Sequence, residues 1–115
     1  MEICVTATSD NLDSTIDQRF GRCKYFIFVD PETMSFRAVP NTSGSEPGGA
    51  GIKSATMVLK QSPAAVITGM IGGNALEVLS AAHARVYTCK TMSVREAVEM
   101  YRAGKLSLID APNNM

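Results

Sequence analysis

Four glycines, Gly44, Gly48, Gly49 and Gly51, crowd residues 41–51 (NTSGSEPGGAG), directly ahead of sequence with helical spacing. A backbone without Cβ atoms can approach a ligand closely, and the unpaired amides of a helix start attract anions. This is not a Walker loop, because Gly51 is followed by Ile52-Lys53-Ser54. Nor is it the dinucleotide fingerprint, which belongs directly after a first strand. The stretch reads as a loop leading into a helix or as a cradle for an anion or cluster, with Asn41, Gly49 and Gly51 among its candidate contacts. Residues 68–75 (TGMIGGNA) pose the same choice. They form a turn between a strand and a helix that Asn74 would cap, and the backbone amides of this turn could face a ligand at the same edge.

A third segment, Phe20-Gly21-Arg22-Cys23, precedes an aromatic run. Arg22 beside Cys23 would favour a thiolate, and a thiolate in a loop can ligate iron or another soft metal. The bland alternative is an incidental thiol at a strand start. Cys4 falls inside an apolar strand and reads as a small buried hydrophobe. Cys89 closes another strand. No CxxC pair occurs, and three cysteines cannot make a four-thiolate site from one chain. His83, the only histidine, is expected at a helix end on the edge away from the loops. A Ser–His–Asp unit is therefore excluded on topology. A two-metal site would need converging carboxylates, whereas the first strand offers only Asp10 at its end, with Asp13 and Asp17 in the loop beyond. No catalytic constellation emerges.

The elements that must position these residues follow from pattern. Residues 2–8, 24–30 (KYFIFVD), 35–40, 64–68 and 85–88 read as strands, and the second and third are joined tightly enough to form an antiparallel hairpin. Ile52, Ala55 and Leu59 recur at helical spacing. A second helix is expected from Asn74, with Glu77 completing a reciprocal cap, to about His83. Ser93 and Glu96 form a capping box for a third helix ending at Gly104. The order β-β-β-α-β-α-β-α predicts a mixed five-stranded sheet with helices on its faces, one unit over residues 1–106 and a loose tail over 107–115. Parallel crossovers bring the loops at 9–23, 41–51, 69–74 and 89–93 to one edge, where such sheets bind ligands.

Composition narrows the function. Eleven basic and eleven acidic residues balance, so no cationic surplus exists to displace counterions from nucleic acid. The apolar share is 45% and the charged share 19%, ordinary for a globular chain. No apolar run reaches the roughly eighteen residues that would span a bilayer, and no signal-like start is visible. An odd number of widely spaced cysteines suggests a reducing, cytoplasmic setting.

The segments 17–28 (DQRFGRCKYFIF), 41–52 and 65–79 (AVITGMIGGNALEVL), together with the closing Val86-Tyr87 and Ser93–Ala97 stretch, resemble the dinitrogenase iron–molybdenum cofactor biosynthesis family over most of the chain. The resemblance implies a ribonuclease-H-like α/β fold. It also implies a non-catalytic protein that binds or carries iron–sulfur or iron–molybdenum cluster species and works with metallocluster assembly proteins, as a monomer or weak homodimer. It carries over to Phe20, Gly21, Arg22, Gly49, Ala50, Gly51, Gly69, Ile71, Gly72 and Asn74. Some members have a histidine just before Phe-Gly-Arg, where this chain has Arg19. The competing expectation is an enzyme or sensor for a small anionic metabolite using the same loops.

Overall fold

The computed structural model describes residues 1–44 and 48–113. Residues 45–47 of the first glycine-rich loop and 114–115 of the expected tail lie outside the described residues. The chain runs β1 (Ile3–Ala7), β2 (Tyr25–Val29), β3 (Phe36–Pro40), α1 (Ala50–Leu59), β4 (Ala65–Thr68), α2 (Gly73–Ala81), β5 (Arg85–Thr88), α3 (Val94–Arg102) and β6 (Ser107–Leu108). The strands form one sheet in the order β3-β2-β1-β4-β5-β6. β1 pairs antiparallel with β2 and parallel with β4; β4–β5 is parallel, and β2–β3 and β5–β6 are antiparallel.

The sheet therefore has six strands rather than five. Two residues are too few to carry a period-2 signal. β6 forms because the outer edge of β5 offers a ladder, with Tyr87 opposite Leu108 and Thr88 opposite Ser107. The tail expected to be loose continues against the body: the Ile109 amide donates to the Val86 carbonyl at 2.7 Å.

Alternation along the strands sorts the core into two layers. Cys4, Phe26, Phe28, Val66 and Val86 face α1 and α2, where they pack on Ala55, Val58, Leu76 and Leu79. Ile3, Val5, Ile27, Val29 and Ile67 face Val94, Ala97 and Val98 of α3. With both faces covered, β1 and β4 are buried along their whole length, as expected of central strands. At their carboxyl ends the Thr6 hydroxyl donates to the Asp17 carbonyl (2.6 Å) and lies 2.9 Å from the Thr68 hydroxyl, tying the loop after β1 to the switch point between β1 and β4.

Two helix ends follow the expected chemistry. The Ser93–Glu96 capping box is formed, and Gly104 adopts φ +70 after α3. The start of α2 does not. Its N-cap is Gly72 and no side chain caps it, so Asn74 lies inside the first turn and pairs with no Glu77 box. The helix starts early because the Leu76 amide bonds the Gly72 carbonyl at 3.0 Å, while hydrogen bonds from Gln18, Phe20 and Asn113 hold the backbone just before it extended.

Candidate functional site

Three stretches far apart in sequence meet in a cleft of about 570 Å³, lined by residues 19–22, 49–52 and 70–75. It opens at the carboxyl ends of β1 and β4, the position the topology predicts for a ligand. Its walls are the starts of α1 and α2 and the loop leading to β2.

Close backbone packing builds the walls. A Cβ on Gly21 would sit 3.0 Å from both the amide nitrogen and Cα of Gly51, so the Phe20–Arg22 segment rests directly on the first turn of α1. Gly49, at φ +72, turns the chain into that helix in a conformation side chains resist. Phe20 and Ile71 are almost fully buried and form the apolar floor.

Among the described residues the charged side chains lining the cleft share one sign. The first amides of a helix lack intrahelical acceptors. α1 and α2 both begin here with no side-chain cap and no acidic residue in the first turn. α3, which starts elsewhere, has both a Ser93 cap and Glu96 in its first turn. Arg19 and Arg22 add two guanidinium groups, and among the described residues the lining includes no Cys, His, Asp or Glu. Arg19 is anchored by Asp17, whose Oδ1 accepts from its amide (3.0 Å) and from Nε (3.4 Å). Arg22 straps the two loops together, Nη1 donating to the Gly44 carbonyl at 3.1 Å.

Of the residues expected at the site, Phe20, Gly21, Arg22, Gly49, Ala50, Gly51, Ile71, Gly72 and Asn74 come together in this cleft. Asn41, Gly69 and Cys23 do not line it. Asn41 works behind the wall: its Nδ2 donates to the carbonyls of Gly21 (3.2 Å) and Cys23 (3.0 Å), while Oδ1 accepts from the Ser43 amide (3.1 Å). Gly69 is structural. Its carbonyl accepts from Thr88 Oγ1 and Asn113 Nδ2, both at 3.0 Å, and a Cβ there would meet the Gln18 backbone.

Cys23 departs furthest from expectation. It is 1% exposed within the α1/α2 core layer, and its thiol donates to the Phe20 carbonyl at 3.3 Å. Burial, reinforced by the nearby Asp17 carboxylate, pushes the thiol up to about 12 rather than down, so the expected activation by Arg22 does not occur. Cys4 and Cys89 are likewise buried and raised by desolvation. Among the described residues no three His, Cys, Asp or Glu side chains gather as a metal site.

Arg19, Ile52, Met70, Gly73 and Ala75 also line the cleft, though they were not among the expected contacts. Each is the sequence neighbour of an expected contact. Their arrival was legible only once the turns were known.

Residues 1–104 match the family model described as dinitrogenase iron-molybdenum cofactor. The orange protein of Desulfovibrio gigas, solved in its apo form, is 35% identical and superposes with a TM-score of 0.94, covering 98% of this chain and 96% of its own. A Thermotoga protein of the DUF35 family, solved by NMR, is 27% identical with a TM-score of 0.85 and covers 98% and 97% of the two chains. An uncharacterized protein of Methanocaldococcus jannaschii is 28% identical over 97 residues, 82% of each chain.

Proposed function

The chain belongs to the dinitrogenase iron-molybdenum cofactor family, and from that membership we propose that its cleft binds and carries an anionic metal–sulfur species, an iron–sulfur or iron–molybdenum cluster, as cargo in metallocofactor assembly. It performs no reaction of its own. One observation carries this reading: two helices with uncapped, acid-free starts open into a single cleft rimmed by Arg19 and Arg22. Each helix start favours an anion by about 0.3–1 kcal/mol, more where water is partly excluded, and the guanidinium groups add charge-assisted hydrogen bonds.

The donor set favours cargo that brings its own sulfide ligands. Among the described residues the lining has no thiolate or imidazole to complete a metal's coordination, and Met70 supplies its one sulfur. Recognition would come from amide and guanidinium hydrogens on the cluster's sulfur surface, with Phe20, Ile71 and Ile52 against its apolar flank. The strand order and directions of β1 to β5 support a ribonuclease-H-like reading of the sheet, which positions the cleft without implying nuclease chemistry. Metallocluster assembly proteins are the partners this reading requires. Three unpaired, buried thiols suit a cytoplasmic setting, with the chain working as a monomer or weak homodimer.

Anaerobic loading of the protein with ferrous iron and sulfide tests the proposal. Charge-transfer absorption with stoichiometric metal is expected, weakened about tenfold by Arg22→Ala. Failure of stoichiometric loading across several iron-to-sulfide ratios, with stabilisation by a phosphorylated metabolite instead, would replace it with the small-anion reading.

A further inference from the structure

Residues 69–71 lead from β4 into α2, and their hydrogen bonds alternate between two sides. On one side Met70 is held by the loop after β1: its amide donates to the Gln18 carbonyl at 2.6 Å, and its carbonyl accepts from the Phe20 amide at 3.1 Å. On the other side Thr88 Oγ1 donates to the Gly69 carbonyl at 3.0 Å, and Asn113 supplies three further bonds. Asn113 Oδ1 accepts from the Ile71 amide (2.8 Å), its Nδ2 donates to the Gly69 carbonyl (3.0 Å), and its own amide donates to the Ile71 carbonyl (3.3 Å). Pro112 packs beside this contact, its Cγ 3.4 Å from where a Cβ on Gly73 would lie. Asn113 therefore stands in for a neighbouring strand. It lies beyond residue 104, the last residue of the family match.

Ile71 lines the cleft, and Gly72 and Gly73 begin α2 immediately after it. Resting on the anion-binding reading of that cleft, we propose that Asn113 is a positioning residue for the ligand. By clamping Gly69 and Ile71 from outside, it holds the first-turn amides of α2 aimed at the same point as those of α1. A site whose walls are already set binds more tightly than one that must be ordered, in proportion to the competent fraction.

The test compares the full chain with Asn113→Ala and Asn113→Asp. Aspartate keeps the acceptor for Ile71 but loses the donor to Gly69. Amide hydrogen exchange and titration with inorganic phosphate, followed at backbone amides by NMR, are read together. In the unmodified chain, amides 50–52 and 73–75 should shift along one isotherm. In Asn113→Ala, exchange at the hydrogen-bonded amides of Ile71 and Leu76 should accelerate about tenfold or more while α3 stays protected. Phosphate affinity should fall about five- to tenfold, with the response at 73–75 lost before that at 50–52; Asn113→Asp should fall between. Unchanged exchange at Ile71, or faster exchange with phosphate affinity within about twofold of the unmodified chain, overturns the positioning role alone. An unmodified chain that binds neither phosphate nor sulfide-loaded iron overturns the anion cleft and the positioning role together.

Discussion

Cys23 illustrates how one residue can look functional in sequence and structural in space. Beside Arg22 it has the neighbour of a reactive thiolate, yet its sulfur turns inward to the Phe20 carbonyl while Arg22 reaches out to Gly44. Cys23→Ala should leave iron–sulfide loading unchanged and lower stability by about 1–2 kcal/mol through lost packing, as read from denaturant unfolding. The titration has a definite sign. The folded thiol, near 12, stays protonated where the unfolded one, ordinarily near 9, gives up its proton. Its stabilising contribution is therefore complete below pH 9 and is lost as pH rises toward 12. Unfolding midpoints measured across that window should fall, and should fall less in Cys23→Ala. A thiol reagent at pH 8 should label Cys23 only after unfolding.

At the scale of elements, the three helix starts divide the labour. α3 is capped by Ser93 and Glu96 for stability, whereas α1 and α2 leave their first amides without side-chain caps at the cleft. The two roles should separate by mutation. Ser93→Ala should cost about 1 kcal/mol of stability and leave anion binding unchanged. Asn74→Asp places a carboxylate in the first turn of α2, where the helix dipole favours it. Stability should hold or rise slightly while anion affinity drops about tenfold, since the new charge competes for the same amides. Calorimetric titration alongside thermal melts checks both. Sequence located α3 well because a capping box is a local signal. It misplaced the α2 start because the Asn74–Glu77 pattern imitates a cap, and long-range hydrogen bonds from Gln18, Phe20 and Asn113 fix where the extended chain ends.

For the molecule as a whole, the sheet brings three distant segments to one edge, so ligand binding and folding should be linked. A ligand at a hundred times its dissociation constant should raise unfolding free energy by about 2.7 kcal/mol. The Arg19 side chain is 64% exposed, and exposed charges are screened by salt. Binding should therefore weaken several-fold between low and high ionic strength, while the unliganded protein's melting changes little. No helix among the described residues is long and apolar enough to cross a membrane.

Much of the architecture was legible from residues alone. Strands such as 24–30 and 85–88 declare themselves through dense β-branched and aromatic runs, and β-α-β order with right-handed crossovers fixes which loops share an edge. The family resemblance, not the topology, singled out nine residues that meet in the cleft, from Phe20 to Asn74. Tertiary structure alone decided which side of a wall each group occupies. It turned Cys23 into the core, set Asn41 behind Gly21, and laid Asn113 against Ile71. Periodicity reports the contacts a segment makes with its own neighbours in the chain. Close backbone approach, the burial of a thiol and a two-residue strand depend on partners brought together by the fold, for which a single sequence carries no local signal.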